Sequence, residues 1–154
     1  MNENKIFKRL GKEHQKILKT NKKVLSYKDD NDNIVFEINY TSEICLKIEM
    51  KETYPFSSPS ISVNNIDYCN YLQSKIVSLN RLIILMNIPC PCCYNIINAW
   101  SPGYYLTSII NEFEDNMKLT ILLHKLNFLR KYLDKEFVNC DSLFIINLIY
   151  NYLE

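Results

Sequence analysis

The sequence predicts an α+β domain: an N-terminal helix, a four-stranded antiparallel meander, and further helices after it. Three observations carry this. Ile6, Phe7, Leu10, Ile17 and Leu18 recur at helical spacing with lysines opposite. Between Ile34 and Met50 apolar and polar residues alternate one by one. Beyond Val63 the apolar period lengthens again to that of a helix.

The elements follow in order. The first helix spans Asn4 to about Lys22, and Gly11 inside it costs about 1 kcal/mol relative to alanine, so packing must hold it. Val24–Tyr27 is a short strand. Asp29, Asp30, Asn31, Asp32 and Asn33 form a turn, because these side chains bond their own backbone. Ile34, Phe36, Ile38 and Tyr40 face one side of the next strand. Ile44, Leu46, Ile48 and Met50 face one side of its partner, with Thr41-Ser42-Glu43 as the tight connection. Ile61 and Val63 belong to a fourth strand. Tyr68, Leu72, Ile76 and Leu79 place a helix over Asp67 to about Asn80, and Leu82–Ile88 reads either as a strand or as its continuation. Pro89 and Pro91 impose an extended, irregular backbone around Cys90 and Cys92. Ser101 and Pro102 suit the cap and first turn of a helix running to about Lys118. Two more helices are expected near Thr120–Phe137 and Ser142–Leu153, the latter capped by Asp141.

A chain of 154 residues fits one domain over residues 1–154 and is long enough to bury a substantial core. The formal net charge of +1 gives no electrostatic case for nucleic acid or for an anionic membrane. The early cluster Lys5, Lys8, Arg9, Lys12, Lys16, Lys19, Lys22 and Lys23 reads as a solvated helix face. The longest apolar run, around Leu82–Met86, is far too short to span a bilayer. Gly11 and Gly103 are the two glycines, which excludes phosphate loops and dinucleotide fingerprints. Met1–Lys12 is polar and charged rather than signal-like. The six cysteines are therefore expected as reduced thiols in a cytoplasmic or nuclear compartment. Two histidines, His14 and His124, read as half-buried helix residues rather than as bases or ligands.

Two motifs carry chemistry. One is Tyr54-Pro55-Phe56-Ser57-Ser58-Pro59, directly after the meander hairpin. The other is Cys90-Pro91-Cys92-Cys93 followed by Trp100-Ser101-Pro102, with seven residues between Cys92 and Trp100. In this order, and over roughly residues 5–114, the chain resembles the ubiquitin-conjugating enzymes; residues 115–154 add C-terminal helices. A Tyr-Pro with a following proline is also similar to the related RWD domains, whereas the Trp-Ser-Pro beyond a cysteine favours the conjugating-enzyme branch.

That resemblance implies a nucleophilic thiol at Cys92, with Cys93 one register step away, carrying ubiquitin or a ubiquitin-like protein as a thioester. It also implies that Lys8 and Arg9 meet the activating enzyme and that Phe56, Ser101 and Pro102 meet the ligase. The alternatives at these positions are small buried cysteines and a Phe56 folded beneath its turn. The chain departs from the family in three ways. No His-Pro-Asn precedes the cysteine, and Asn87, five residues before Cys92, is the nearest asparagine to the family's oxyanion position. The segment between Pro59 and Cys92 is longer than the family's. Tyr94 stands where an acidic residue is usual. These departures favour a non-catalytic, protein-binding variant or an RWD-like module as the alternative function. No cofactor is implied. Zinc is not expected, because adjacent cysteines seldom both reach one ion, although Cys69 is available as a fourth sulfur.

Overall fold

The computed structural model describes residues 3–19, 23–136 and 141–153, with side chains of the first helix described from Lys8 onward. Helix α1 is Glu3–Leu18. Strands β1 (Lys23–Lys28), β2 (Ile34–Asn39), β3 (Cys45–Met50), β4 (Ser60–Val63) and β5 (Ile66–Asp67) pair in sequence order as one antiparallel sheet. Helices α2 (Tyr68–Ile76), α3 (Asn80–Leu85), α4 (Leu106–Glu136) and α5 (Ser142–Leu153) follow. The expected α+β architecture is therefore present. No helix among the described residues is long and apolar enough to cross a membrane.

The alternating pattern sets the sheet register. Phe36 pairs with Ile48 and Ile38 with Leu46, so four apolar side chains meet on one face. Leu10 and Ile17 of α1 join the core formed by that face. The expected packing of Ile6 and Phe7 lies outside the described side chains, as does the helix extension over residues 20–22. Val35, expected on the wet face, is fully buried between its cross-strand partners Tyr27 and Glu49. Asp29 organises the β1–β2 turn, accepting the backbone N–H groups of Asn31 at 2.9 Å and Asn33 at 2.8 Å.

The structure differs from expectation at two elements and decides between the alternatives left open at a third. The sheet has a fifth strand, entered through Asn64 and Asn65, both with positive φ (51° and 63°). A two-residue turn of this kind suits asparagine, which tolerates the left-handed region, and a strand of two residues shows no periodicity. Leu82–Leu85 is helical, continuing from α2 through a single 3₁₀ turn at Val77–Leu79. Most importantly, α4 begins at Leu106 rather than Pro102 and runs 31 residues without the expected interruption at Lys118–Thr120. Phe137 lies outside the described residues. Asp141 caps α5 as expected, accepting the Phe144 N–H at 3.1 Å.

Two hydrophobic cores result. The first joins the sheet to α1, α2 and the first turns of α4, with Phe113 fully buried at its centre. The second joins α3, the later turns of α4 and α5 through Leu82, Ile83, Leu123, Leu126, Ile146 and Tyr150. Cys92 packs against both.

Candidate functional site: the Tyr-Pro loop and the cysteine segment

The loop between β3 and β4 is held from below. Tyr54 is 1% exposed, and its ring packs at 5.9 Å against the ring of Trp100. The Trp100 indole donates to the Pro55 carbonyl at 2.8 Å, tying the two sequence motifs together. The Phe56 and Ser57 amides both donate to the Thr53 carbonyl, at 2.9 and 3.3 Å, and the Thr53 and Ser57 hydroxyls bond each other. With its backbone fixed, Phe56 projects outward and is 65% exposed. Pro59 is buried and Ser58 half-buried.

Ser101 and Pro102 are exposed on the neighbouring loop but do not start a helix. The Tyr104 N–H donates to the Ser101 carbonyl at 2.9 Å, so Ser101-Pro102-Gly103-Tyr104 is a β-turn with proline second, where its fixed φ fits. The first N–H of α4, on Leu106, is instead satisfied by the Glu13 carboxylate at 2.9 Å. Glu13 is 1% exposed; it also accepts Arg9 Nε at 2.7 Å and lies within reach of the Tyr54 hydroxyl at 3.3 Å. A buried carboxylate with these partners is neutralised and hydrogen-bonded on both oxygens.

Arg9, expected to face an activating enzyme, is engaged inside the molecule. Its guanidinium donates to the Pro102 carbonyl at 2.7 Å and to the Tyr104 carbonyl, and it stacks 4.9 Å from the Tyr105 ring. Lys8 is exposed beside it. Phe56, Ser101, Pro102 and Lys8 thus remain at the surface, and Arg9 ties α1 to the loop that carries Pro102.

The cysteine segment is a compact loop. The amides of Cys93 and Tyr94 both donate to the Cys90 carbonyl, at 3.0 and 2.9 Å. Asn95, 3% exposed, organises the far side. Its amide nitrogen donates to the Cys92 carbonyl at 2.9 Å and reaches the Cys69 sulfur at 3.4 Å. Its oxygen accepts the N–H groups of Ile97 and Asn98, both at 3.1 Å. Asn98 adds a bond to the Cys93 carbonyl at 3.1 Å. Glu112 of α4 anchors the adjoining backbone, accepting the Ile96 N–H at 2.6 Å and the Tyr68 hydroxyl at 3.2 Å; burial pushes its carboxyl up. Sequence reasoning missed Asn95. The signal was an asparagine two and three residues before amides that need a partner, the pattern of a side-chain-closed turn.

The sulfurs converge. Cys90 and Cys92 share a hydrogen bond at 2.9 Å, and Cys92 and Cys93 lie 3.8 Å apart. All three sulfurs fall within 4.8 Å of one another. The two adjacent cysteines thus present their sulfurs to the same space. The hydrogen bond with Cys90 is the main cause of a Cys92 thiol pushed up to about 12, with burial and Cys93 adding to it. Burial works against ionising Cys90, but hydrogen bonds from the neighbouring thiols and from the Cys93 and Cys92 amides outweigh it and lower its pKa. The shared hydrogen bond thus favours the thiolate on Cys90 over one on Cys92, the expected nucleophile. The helix start expected at Pro102 is absent, since α4 begins at Leu106, so no helix N-terminus at Pro102 is available to favour a Cys92 thiolate. Asn87 sits exposed after α3 with a left-handed backbone (φ 52°). The asparagines that do reach the loop, Asn95 and Asn98, bond its backbone carbonyls.

His14 is half-buried as expected, edge-on to Phe36 at 5.5 Å, whereas His124 is exposed and lines an apolar cavity of about 240 Å³ with Tyr71, Phe113 and Met117.

Comparison with known families matches residues 4–100 to the RWD domain. No curated protein and no solved structure matches the chain. The matched segment runs from α1 through the meander, the Tyr-Pro loop and the cysteine segment to Trp100, leaving α4 and α5 beyond it. The match supports the ubiquitin-conjugating-enzyme-like fold, which includes non-catalytic variants, without supporting a particular enzyme. An N-terminal helix on an antiparallel meander, a buried Tyr-Pro loop and this match over most of the chain together place the protein in the RWD domain family.

Proposed function

We propose that this domain is a non-catalytic protein-binding module of a ubiquitin or ubiquitin-like pathway, working in the cytoplasm or nucleus. Its docking edge is Phe56 with Ser101, Pro102 and Lys8. The observation that carries the reading is Phe56: a large aromatic side chain, 65% exposed, on a loop whose backbone is fixed by Trp100 and Thr53. A rigid exposed aromatic loses little entropy on binding and is the residue type that dominates binding energies. The cysteine geometry supports the same reading. The Cys92 sulfur faces two other sulfurs at the seam of two cores, and among the described residues no side-chain amide bonds it.

The test is direct. Incubation with ubiquitin, activating enzyme and ATP is expected to give no adduct sensitive to reducing agent. Titration against ubiquitin and against conjugating enzymes and ligases is expected to show binding that Phe56→Ala weakens. A reducible adduct lost in Cys92→Ala and kept in Cys93→Ala would replace this reading with the catalytic one, in which the activating enzyme and ligase are the partners.

A further inference from the structure

We propose that Cys90, Cys92 and Cys93 form a three-sulfur binding site for one soft, thiophilic d¹⁰ cation, Cu(I) in trigonal coordination. The claim rests on position. The three sulfurs lie within 4.8 Å of one another although two come from adjacent residues. The Cys92–Cys93 separation of 3.8 Å is within a few tenths of an ångström of the roughly 4.0 Å between sulfurs that share an ion at 120° and metal–sulfur bonds of about 2.3 Å. Cys90 and Cys92, at 2.9 Å, need only open by a side-chain rotation.

The loop is built to hold that arrangement. Pro89 and Pro91 restrict the backbone on either side of Cys90. The Cys90 carbonyl is closed by two amides, and the Cys92 and Cys93 carbonyls are engaged by Asn95 and Asn98. The carbonyl oxygens are thus committed to the loop, and the sulfurs are the donors left over. Cys93 is exposed and gives an ion a way in, while Cys90 and Cys92 are half-buried against the second core. Such a shell is soft and partly dry.

The donor set selects the ion. Among the described residues no histidine, carboxylate or fourth cysteine joins the group. Cys69 is held away by the Asn95 amide. Structural zinc takes four ligands in a closed tetrahedron, which this set does not complete, whereas three thiolates satisfy Cu(I). On binding, the three thiols release their protons to solvent and three sulfur–copper bonds form; copper enters as Cu(I), so no electron is transferred.

The experiment uses the reduced full-length chain, without oxygen, titrated with Cu(I) in competition with a chromophoric Cu(I) chelator. One equivalent should be withdrawn from the chelator, with a sulfur-to-copper charge-transfer band in the ultraviolet. That equivalent should be lost in Cys90→Ser and in Cys93→Ser and kept in Cys45→Ser, Cys69→Ser and Cys140→Ser. Cys93 is exposed, so Cys93→Ser is expected to keep the wild-type circular dichroism and melting temperature, which separates loss of the site from loss of the fold. Copper that stays on the chelator, or a bound equivalent indifferent to Cys90→Ser and Cys93→Ser, overturns the proposal. So does a tetrahedral Co(II) spectrum that disappears in Cys90→Ser, since it would show a fourth donor. Partner binding through Phe56 is read separately and stands or falls on its own.

Discussion

The Glu13 carboxylate, on the first helix, accepts the N–H of Leu106, the residue that opens α4, across 93 positions of sequence at 2.9 Å. One buried side chain thereby caps a helix, pairs with the half-buried Arg9 and lies against Tyr54. Glu13→Ala should destabilise the fold by about 3–5 kcal/mol, because Arg9 and an amide lose a partner in a buried site. Glu13→Gln, which keeps an oxygen acceptor and drops the charge, should cost less. Lys8→Ala, on the same helix and exposed, should fall within about 0.5 kcal/mol of wild type in urea unfolding. Equal effects of Glu13→Ala and Lys8→Ala would mean that the cap does not hold the corner.

Phe56 and Tyr54 sit two residues apart with opposite exposure, 65% and 1%. Phe56→Ala should leave the melting temperature nearly unchanged and weaken partner binding by about 1–2 kcal/mol. Tyr54→Ala should cost about 3–5 kcal/mol of stability, as large aromatic truncations in a core do. A large loss of stability in Phe56→Ala would remove it from the docking edge.

Alkylation of the metal-free protein should rank the thiols. With the Cys92 pKa pushed up to about 12 by its hydrogen bond to Cys90, iodoacetamide at about pH 8 should leave Cys92 largely unmodified while Cys90 and Cys93 react. Cys90 should react with a midpoint below the usual thiol range, because its neighbours donate to its thiolate. Cys92→Ala removes a donor and should move that midpoint up. Peptide mass spectrometry after timed labelling reads all three, and early labelling of Cys92 in the wild type would contradict the assigned order.

Alkali should unfold the domain through its phenols. Burial raises the pKa of Tyr40, Tyr54 and Tyr68 above the ordinary tyrosine value near 10. The folded state therefore keeps these protons when the unfolded chain would release them. This contribution is fully present below about pH 10 and is lost as pH rises through that value toward the folded pKa. The melting temperature should accordingly begin to fall near about pH 9–10, more gently in Tyr68→Phe. An identical alkaline decline in Tyr68→Phe would exclude that phenol as a source.

Much of the fold could be read locally, and the exceptions share a cause. The strands at 34–39 and 45–50 and the cap at Asp141 were legible because their signals lie within a few residues. The start of α4 was not, since Ser101-Pro102 supplies a local cap signal while the capping atom belongs to Glu13. The unbroken course of α4 was hidden because its apolar stripe changes direction. Ile109, Ile110 and Phe113 serve one core and Leu123 and Leu126 the other. At the candidate site, the exposure of Phe56 was one of two open alternatives. The role of Asn95 and the meeting of three sulfurs depend on loop geometry that composition does not encode.

A helix of 31 residues is about 46 Å long, and α4 donates one stretch of its surface to each core. Neither core can lose its share of that rod without fraying the helix beneath the other. The meander and the C-terminal helices are therefore expected to melt in a single cooperative step, read as one transition in calorimetry, although the family match ends at residue 100. A shortened chain ending at Trp100 would lose Phe113, the ring against which Tyr40, Tyr68 and Tyr71 pack. The matched segment thus ends before the rod on which its own aromatic side chains rest.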